Sequence, residues 1–460
     1  MLYSILDFGA KADGTVCTVS IQSAVDAAFR DGGGTVEVPA GTFLTGGVRL
    51  RSRVTLLLRS GSVLKGTRDP LDYEYHLTDP VEPIAETLAR TVCRAPASQQ
   101  PGFDYEHEVT RRWTNGLIRL IGADEAAILG EPSSVIDGSD CYDETNEEHY
   151  RGPHAISAHL CRNLRFEGYT VRNSANWAHA VFDSQNITLE NIEVLAGHDG
   201  AHFTNCDNVT LHHCAFYTGD DCIAGIDLCN VTVTDCVCNT ACSAFRLGGT
   251  NVRIAHCHLY GPAKYLFRGS LSKEEKAASA PSAENTDGRE TDALGHRYNM
   301  LSAFTYYADF SRAIREQPGN IVLSDCKIEH TDRLLHYNYS GNETWQKNRP
   351  LQSLTFENVE ASGISMPLTA YGDPEVPLSL TFRNCSVAFR SDVSSRADIA
   401  FMHLCHFDRV LLDHVSVDNP GTSPLVKTWS EGGELTMRDC TCTGSSAIVQ
   451  ADEPFFARAI

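Results

Sequence analysis

Three aspartates at fixed spacing are the residues of this sequence best suited to acid–base chemistry. Asp199 lies in GHDGAHF, and Asp220 and Asp221 lie in TGDDCIAG, 21 and 22 residues further on. Crowded carboxyl groups cannot all ionise freely, so at least one pKa is expected to rise, as a general acid requires. Glycoside hydrolysis uses such a set, in which one carboxylic acid protonates the leaving oxygen and a carboxylate activates water.

Two other interpretations of the aspartates stay open at this point. A pair such as Asp220–Asp221 in a turn is commonly solvated or caps the turn, and clustered carboxylates also bind calcium. The third aspartate, one repeat away, strengthens the catalytic interpretation against the capping pair and leaves the calcium site open.

A repeat of about 22 residues predicts how these carboxylates are brought together. Each unit starts with a short Asn-apolar-x-apolar strand, and several carry a cysteine six positions after the asparagine. The repeated asparagines and cysteines are Asn163, Asn186, Asn208, Asn230, Asn251, Asn320, Cys214, Cys236, Cys257 and Cys326. Strand-like alternation with no helical half in each unit is typical of a parallel β-helix, in which residues one coil apart lie on neighbouring strands about 4.8 Å apart.

The predicted fold is therefore all-β: one right-handed parallel β-helix over residues 1–460. Residues 1–60 are expected to form the first coils with a short capping helix at 19–29, and residues 160–445 the regular coils. The segments 69–115 and 271–297 break the period and are expected to be long loops on the active-site face. We expect the repeated Asn and Cys side chains to stack as ladders.

The composition excludes several classes of partner. The net charge of −21 argues against nucleic acid, and no run approaches 18 consecutive apolar residues, so a membrane span is not expected. The chain opens without a basic and apolar leader, from which a cytoplasmic location is expected, with reduced thiols among the 17 cysteines. The alternative is a secreted or periplasmic location, if a leader was trimmed. No cofactor is expected, and oligomeric state is not predicted.

The sequence resembles glycoside hydrolase family 28, the polygalacturonase family. The resemblance rests on FGAKADGT, IQSAVDAA and GGGTVEVPAGTFLTG near the start, on NSANW, and on HDGAHF and GDDCIA around the aspartates. It implies inverting hydrolysis, with Asp220 as general acid and Asp199 and Asp221 holding and activating water.

Two departures from the family pattern leave the identity of the substrate sugar open. The family's Gly-His-Gly motif is replaced by ACSAFRLGG, with Cys242 or Ser243 where the histidine belongs. Its Arg-Ile-Lys motif, which serves the substrate carboxylate, is reduced to YLFRGS, where Arg268 remains and the lysine is absent. Arg246 is a candidate second cation for a carboxylate, and a structural salt bridge is its alternative role.

The remaining substrate-binding candidates are histidines that could bond sugar hydroxyls, aromatic residues that could stack on a sugar, and one lysine. They are His179, His198, His202, Trp177, Tyr265 and Lys264. Packing support is an equal alternative for Trp177, and no HxH or HxxxH spacing indicates a catalytic metal.

The function predicted from these residues is hydrolysis of pectin-derived, uronate-containing oligosaccharides of the galacturonan or rhamnogalacturonan type, by exo cleavage. The alternatives are a polysaccharide lyase on the same scaffold, which would depend on calcium and a cationic base, and a non-catalytic carbohydrate-binding solenoid.

Overall fold

The computed structural model describes residues 1–73, 115–278, 284–307, 317–339, 349–393, 399–419, 423–430, 433–444, 448–451 and 456–459. The loop predicted at 69–115 therefore lies almost wholly outside the described residues. In the described part of the chain, 37 strands pair in parallel into a solenoid, and the predicted β-helix is confirmed. No helix in these ranges is long and apolar enough to cross a membrane.

The first nine strands form the N-terminal coils. They are β1 (Leu2–Ser4), β2 (Gly34–Val38), β3 (Gly41–Thr45), β4 (Val48–Leu50), β5 (Val54–Leu58), β6 (Ser62–Gly66), β7 (Gly116–Ile121), β8 (Ala127–Gly130) and β9 (Val135–Asp137).

The next thirteen strands form the central coils. They are β10 (His154–His159), β11 (Arg162–Glu167), β12 (Thr170–Arg172), β13 (His179–Phe182), β14 (Gln185–Glu190), β15 (Glu193–Ala196), β16 (Ala201–Thr204), β17 (Asp207–His212), β18 (Ala215–Thr218), β19 (Ile223–Thr234), β20 (Val237–Thr240), β21 (Ser243–Ala255) and β22 (His258–Tyr260).

The last fifteen strands complete the solenoid. They are β23 (Met300–Tyr306), β24 (Gly319–Ser324), β25 (Lys327–Glu329), β26 (Thr331–Asn338), β27 (Ser353–Glu357), β28 (Glu360–Ile364), β29 (Leu368–Tyr371), β30 (Leu378–Phe389), β31 (Met402–Cys405), β32 (Phe407–Asp418), β33 (Val426–Thr428), β34 (Glu434–Arg438), β35 (Thr441–Thr443), β36 (Val449–Ala451) and β37 (Phe456–Ala459).

Each coil contributes one strand to each of three parallel sheets. Sheet 1 runs through β7, β10, β13, β16 and the first halves of β19 and β21 to β23 and β26. Sheet 2 contains β11, β14 and β17, and sheet 3 contains β12, β15 and β18. Along most of the strands, alternate residues point into one continuous apolar core, because side chains along a strand alternate between its two faces.

The predicted capping helix is α1 (Thr18–Arg30). Its buried residues, Ile21, Ala24, Val25 and Ala28, recur at helical spacing and form one apolar face. This face packs on the first strands, so the open end of the core is covered there.

The asparagine ladder predicted from the repeat is present at the turn between sheets 1 and 2. The Nδ2 of Asn208 donates to Oδ1 of Asn186 at 2.9 Å, and Asn230 donates to Asn208 at 3.2 Å. These asparagines adopt left-handed backbone angles, with φ of 57° at Asn186 and at Asn208, which asparagine tolerates better than most residues. The repeated cysteines lie in the core as predicted, and every cysteine within the described ranges is a free thiol.

Candidate active site

The three aspartates lie at one corner of the solenoid, where the chain turns from sheet 3 into sheet 1. Asp199 precedes β16, and Asp220 and Asp221 stand between β18 and β19. Since β16 and β19 pair in parallel register, the two turns lie side by side. All three side chains are buried, with residue exposures of 4% for Asp199, 7% for Asp220 and 0% for Asp221.

The bend that separates Asp220 from Asp221 requires Gly219. A Cβ at this position would stand 1.7 Å from the carbonyl oxygen of Leu266, so only glycine fits. The hydroxyl of Thr218 donates to the Asp220 carbonyl at 2.7 Å, and Thr240 from the next coil donates to the same oxygen. The backbone of the turn is therefore held from two coils.

Asp199 and Asp220 interact directly. Burial, followed by the charge of Asp221, raises the pKa of Asp199 to about 8, and a hydrogen bond from Asp220 opposes that rise. Burial, followed by the charges of Asp199 and Asp221, raises the pKa of Asp220 well above its usual range. The two carboxyl groups therefore retain a proton at neutral pH, which we place on Asp220 because it is the donor of the shared hydrogen bond.

Asp221 is held by donors from the following coil. The backbone N–H of Ser243 donates to its Oδ1 at 3.0 Å, and Nη1 of Arg246 lies 3.4 Å from its Oδ2. The guanidinium of Arg246 also lies over the ring of Tyr307, 4.1 Å from the centroid. These contacts fix the position of the Asp221 carboxyl group within the crowded acidic cluster.

Arg151 is the main residue of the site that the sequence interpretation missed. It is 7% exposed, its Nε donates to Glu148 at 2.9 Å and its Nη1 donates to Asn176 at 3.0 Å. Its Nη2 lies 3.8 Å from Oδ2 of Asp220. The cluster is thus flanked by a buried arginine on one side and by Arg246 on the other.

Two of the three histidine candidates lie in this cluster. The Nδ1 of His202 is 2.9 Å from Oδ2 of Asp199, and its ring stacks on Trp177 with centroids 3.7 Å apart. Burial, followed by the charge of Arg246, lowers the pKa of His202 to about 3, so the imidazole is neutral. The Nδ1 of His198 lies 3.2 Å from Nη1 of Arg151, and burial holds the pKa of His198 well below its usual range.

His179, a substrate-binding candidate from the sequence, does not lie with the other two histidines at the aspartate cluster. In sheet 1 it stands in register with Ala201, on the inward side, and it is fully buried. Its Nε2 pairs with the Tyr169 hydroxyl at 3.0 Å and its Nδ1 with the Gly200 carbonyl at 3.2 Å. The residue that points outward is its neighbour, Ala180, which is in register with His202.

Three further candidates stand apart from the aspartates. Arg268 is 1% exposed, and its guanidinium forms an ion pair with buried Asp140. Lys264 lies over the ring of Tyr217, 3.8 Å from the centroid, and Tyr265 beside it is half-buried. In this conformation the expected role of Arg268 toward a substrate carboxylate is not supported, because its charge is directed at Asp140.

A cavity of about 400 Å³ opens beside Asp221, toward the later coils. It is lined by Cys242, Ser243, Arg246, Leu301, Ser302, Thr305, Asp332, Arg333 and His336. Arg333 and His336 were not identified from the sequence. Both stand on β26, whose strand follows β21 and β23 in sheet 1.

Asp220, Asp221 and Cys242 have potential ligand atoms within 4.8 Å of one another. A thiol is a poor partner for calcium, which takes oxygen ligands, so this set does not fit the calcium site considered as an alternative.

These features define a parallel β-helix with three converging carboxylates at one corner. Residues 115–242, which include all three, match the family model of Glycosyl hydrolases family 28. The predicted resemblance to this family is confirmed over these residues.

Relatives of this chain include a probable polygalacturonase from Vitis vinifera, 27% identical over 235 residues that cover 48% of this chain and 43% of the relative. An exo-poly-alpha-D-galacturonosidase from Dickeya chrysanthemi is 27% identical over 263 residues, covering 48% of this chain and 41% of the relative. The chain thus spans less than half the length of the curated relatives it matches.

Among solved structures, a family 28 exopolygalacturonase from Yersinia enterocolitica has a TM-score of 0.53 at 16% identity. The alignment covers all of this chain and 78% of that protein. This similarity shows the shared β-helix.

Proposed function

We propose that this protein hydrolyses uronate-containing, pectin-derived oligosaccharides by an inverting mechanism, with exo cleavage. The observation that carries the proposal is the buried carboxyl pair of Asp199 and Asp220, which retains a proton beside an arginine-held Asp221. A protonated acid next to a carboxylate base is the requirement for glycoside hydrolysis.

In this mechanism Asp220 donates its proton to the glycosidic oxygen as the bond to the anomeric carbon breaks. A water molecule attacks the same carbon from the opposite face and passes its proton to Asp199 or Asp221. The product sugar carries the new hydroxyl with inverted configuration. The raised pKa of Asp220 supports its role as the acid, since the side chain must be protonated near neutral pH.

His202 supplies an imidazole to a cluster in which the family's own histidine position is occupied by Cys242 or Ser243. It approaches from the coil of Asp199 and contacts that carboxyl at 2.9 Å. Stacking on Trp177 fixes the orientation of the ring. We assign His202 the role of positioning Asp199 toward the attacking water.

The cavity beside Asp221 supports an anionic sugar as substrate. Arg246, Arg333 and His336 line it, and guanidinium groups bind carboxylates through paired hydrogen bonds. The wall also includes Leu301, whose side chain can cover an apolar sugar face. With two arginines against one aspartate, Asp332, the lining offers a uronate a binding site despite the net charge of −21.

The opposite side of the cluster supports exo cleavage. There α2 (Lys273–Ala277) packs beside Tyr150, the ring that also contacts Arg151. Lys273 pairs with Glu144, and Nζ of Lys276 lies 3.8 Å from the ring centroid of Tyr150. A capping box between Ser272 and Glu275 stabilises this short helix. A polysaccharide running past the aspartates would meet this segment, so the chain end is expected to bind here.

The test is product release from a panel of galacturonate and rhamnogalacturonan oligosaccharides, with proton NMR to follow the anomer of the first product. We expect release of the terminal sugar with inverted configuration, and a loss of about 10³-fold or more in kcat for Asp220→Asn. Asp408→Asn, at an exposed aspartate of a distant coil, is the matched control and should retain full activity.

Three outcomes would contradict the proposal. Equal activity of Asp220→Asn and the control would contradict the assigned acid. An unsaturated product, with activity lost in chelator, would favour the lyase alternative. Binding of the oligosaccharides without any turnover would favour the non-catalytic solenoid.

A further inference from the structure

A second group of metal-ligating side chains lies at a different corner of the solenoid. His212 ends β17, His213 follows it in the turn to β18, and Asp235 occupies the corresponding turn one coil later. The ligand atoms of these three residues all lie within 4.8 Å of one another. The sequence alone does not indicate this group, since neither adjacent histidines nor a single aspartate match a spaced metal motif.

The backbone of the turn explains why the three side chains converge. His213 and Asp235 both have left-handed angles, with φ of 50° and 55°, so the chain bends sharply at the same point of both coils. The register pairs His212 with Thr234, which brings His213 beside Asp235. The imidazole centroids are 3.8 Å apart, and Nδ1 of His212 is 3.5 Å from Oδ2 of Asp235.

Charge and access favour a cation at this place. The side chains of His212 and Asp235 are 36% and 39% exposed, so an ion can enter from solvent and keep one water. Glu190 stands in register with His212 on the preceding coil and adds a second carboxylate to the neighbourhood. Small side-chain rotations bring three atoms within 4.8 Å to the roughly 3.3 Å separation of tetrahedral ligands about 2.0–2.1 Å from zinc.

We propose that His212, His213 and Asp235 bind a divalent transition-metal ion, with Zn²⁺ as the representative ion. Two imidazoles and one carboxylate form a ligand set that suits Zn²⁺ or Ni²⁺, and water completes the tetrahedron. Mg²⁺ and Ca²⁺ prefer all-oxygen sites and do not compete at equal concentration.

The ion ties together two particular coils. His212 and His213 belong to the coil that begins after Asp199, and Asp235 belongs to the coil that begins after Asp221. Binding therefore stabilises the pairing on which the arrangement of the aspartates depends, while the ion itself takes no part in catalysis. The site does not depend on the proposed hydrolase function.

The experiment is a calorimetric titration of the chelator-treated, full-length protein with ZnCl₂, and in parallel with MgCl₂. The variants are His213→Asn and Asp235→Asn, because asparagine occupies the same turn with positive φ at Asn191 and Asn358 and so preserves the fold. The matched control is His256→Asn, at the same turn one coil beyond Asp235.

We expect one Zn²⁺ site per chain, at least a tenfold loss of affinity in both variants, and wild-type affinity in the control. The melting temperature of the wild type should rise with Zn²⁺ and not with Mg²⁺. Absence of Zn²⁺ binding to the wild type would overturn the proposal. It would also be overturned if both variants bound as tightly as the wild type, which would place the ion elsewhere, such as at the exposed thiol of Cys442.

Discussion

The two sides of the aspartate cluster each carry an arginine, but the two arginines are held differently. Arg151 is 7% exposed and is fixed by Glu148, Asn176 and His198 before it reaches Asp220. The side chain of Arg246 is 27% exposed, lies on an aromatic ring and faces the open cavity. One guanidinium is enclosed by protein, and the other is accessible to a ligand.

The two arginines therefore act on the neighbouring carboxyl groups in different ways. The enclosed arginine lowers the pKa of Asp220 against the larger effect of burial, and so limits how tightly the proton is held. The accessible arginine holds Asp221 and contributes to the cavity in which a carboxylate sugar is proposed to bind. The predictions that follow test this division, starting from the largest expected effect.

Replacing the enclosed arginine should have the largest effect on folding. Arg151→Met leaves Glu148 and Asp220 without their buried partner, and we expect the free energy of unfolding to fall by about 3–5 kcal/mol. Urea denaturation measures this change. Arg165→Met, at an exposed arginine of β11 that pairs with Glu167, is the control and should change it by less than about 0.5 kcal/mol. Equal losses in the free energy of unfolding of the two variants would contradict the distinction between enclosed and accessible arginines.

Replacing an arginine on the open side should affect substrate binding instead. Arg333→Gln is expected to raise KM for a galacturonate oligosaccharide by about 10- to 100-fold, since a charge-assisted hydrogen bond contributes about 1.5–3 kcal/mol. Steady-state kinetics should show little change in kcat or in the KM for an uncharged oligosaccharide. Arg268→Gln is the comparison: its buried pair with Asp140 predicts lost stability, and a selective rise in KM there would instead support the role expected from sequence.

The proton shared by Asp199 and Asp220 predicts that the stability of the fold depends on pH. The pKa of Asp199 is about 8 in the folded chain and about 4 when unfolded. Below pH 4 both states are neutral, and as pH rises from 4 to 8 the unfolded state alone loses its proton, so the folded state becomes relatively less stable.

The substitution Asp199→Asn removes this loss of stability between pH 4 and pH 8. We expect the variant to exceed the wild type in free energy of unfolding by about 2 kcal/mol at pH 9 and by little at pH 4, because Asp220 carries part of the shared titration. Urea denaturation at the two pH values measures the difference. A difference that did not depend on pH would show that burial does not hold the proton on the pair.

The smallest change in stability is expected at Asn208, which lies away from both arginines. It provides a reference for the larger effects. Asn208→Ala breaks the asparagine ladder and places alanine at a φ of 57°, and we expect a loss of about 1–2 kcal/mol in stability. Asn208→Gly keeps the backbone angle accessible and should lose less. A greater loss of stability in Asn208→Gly than in Asn208→Ala would show that the left-handed backbone at this position is not strained.

The period of the repeat predicted the fold and brought the three aspartates to one corner, because a 22-residue step on a β-helix moves a side chain one strand along the same column. The same step taken back from Asp220 reaches His198 and Asn176, both of which contact Arg151, so this signal was present but not used. His179 was misplaced because a shift of one residue along a strand reverses the face.

The residues that line the cavity from β26 were not predictable from the repeat in this way. Arg333 and His336 reach the site only because β26 stacks on β23, and the irregular segment between β22 and β23 hides that register in the sequence. The pairing of Arg268 with Asp140 was equally hidden, since it joins segments more than a hundred residues apart.

The excursion between β22 and β23 has an evolutionary consequence. The chain leaves the solenoid after Tyr260, runs through nearly forty residues that include α2, and returns with Thr305 in register beside Arg246. The early part of the excursion packs on the aspartate turn through Leu266, whose carbonyl lies against Gly219. Because the return strand is fixed by pairing with the coil below, insertions or deletions after Leu271 can accumulate without displacing the aspartates. Descendants of this scaffold could thus exchange the outer part of the excursion while inheriting the corner that holds the three aspartates unchanged.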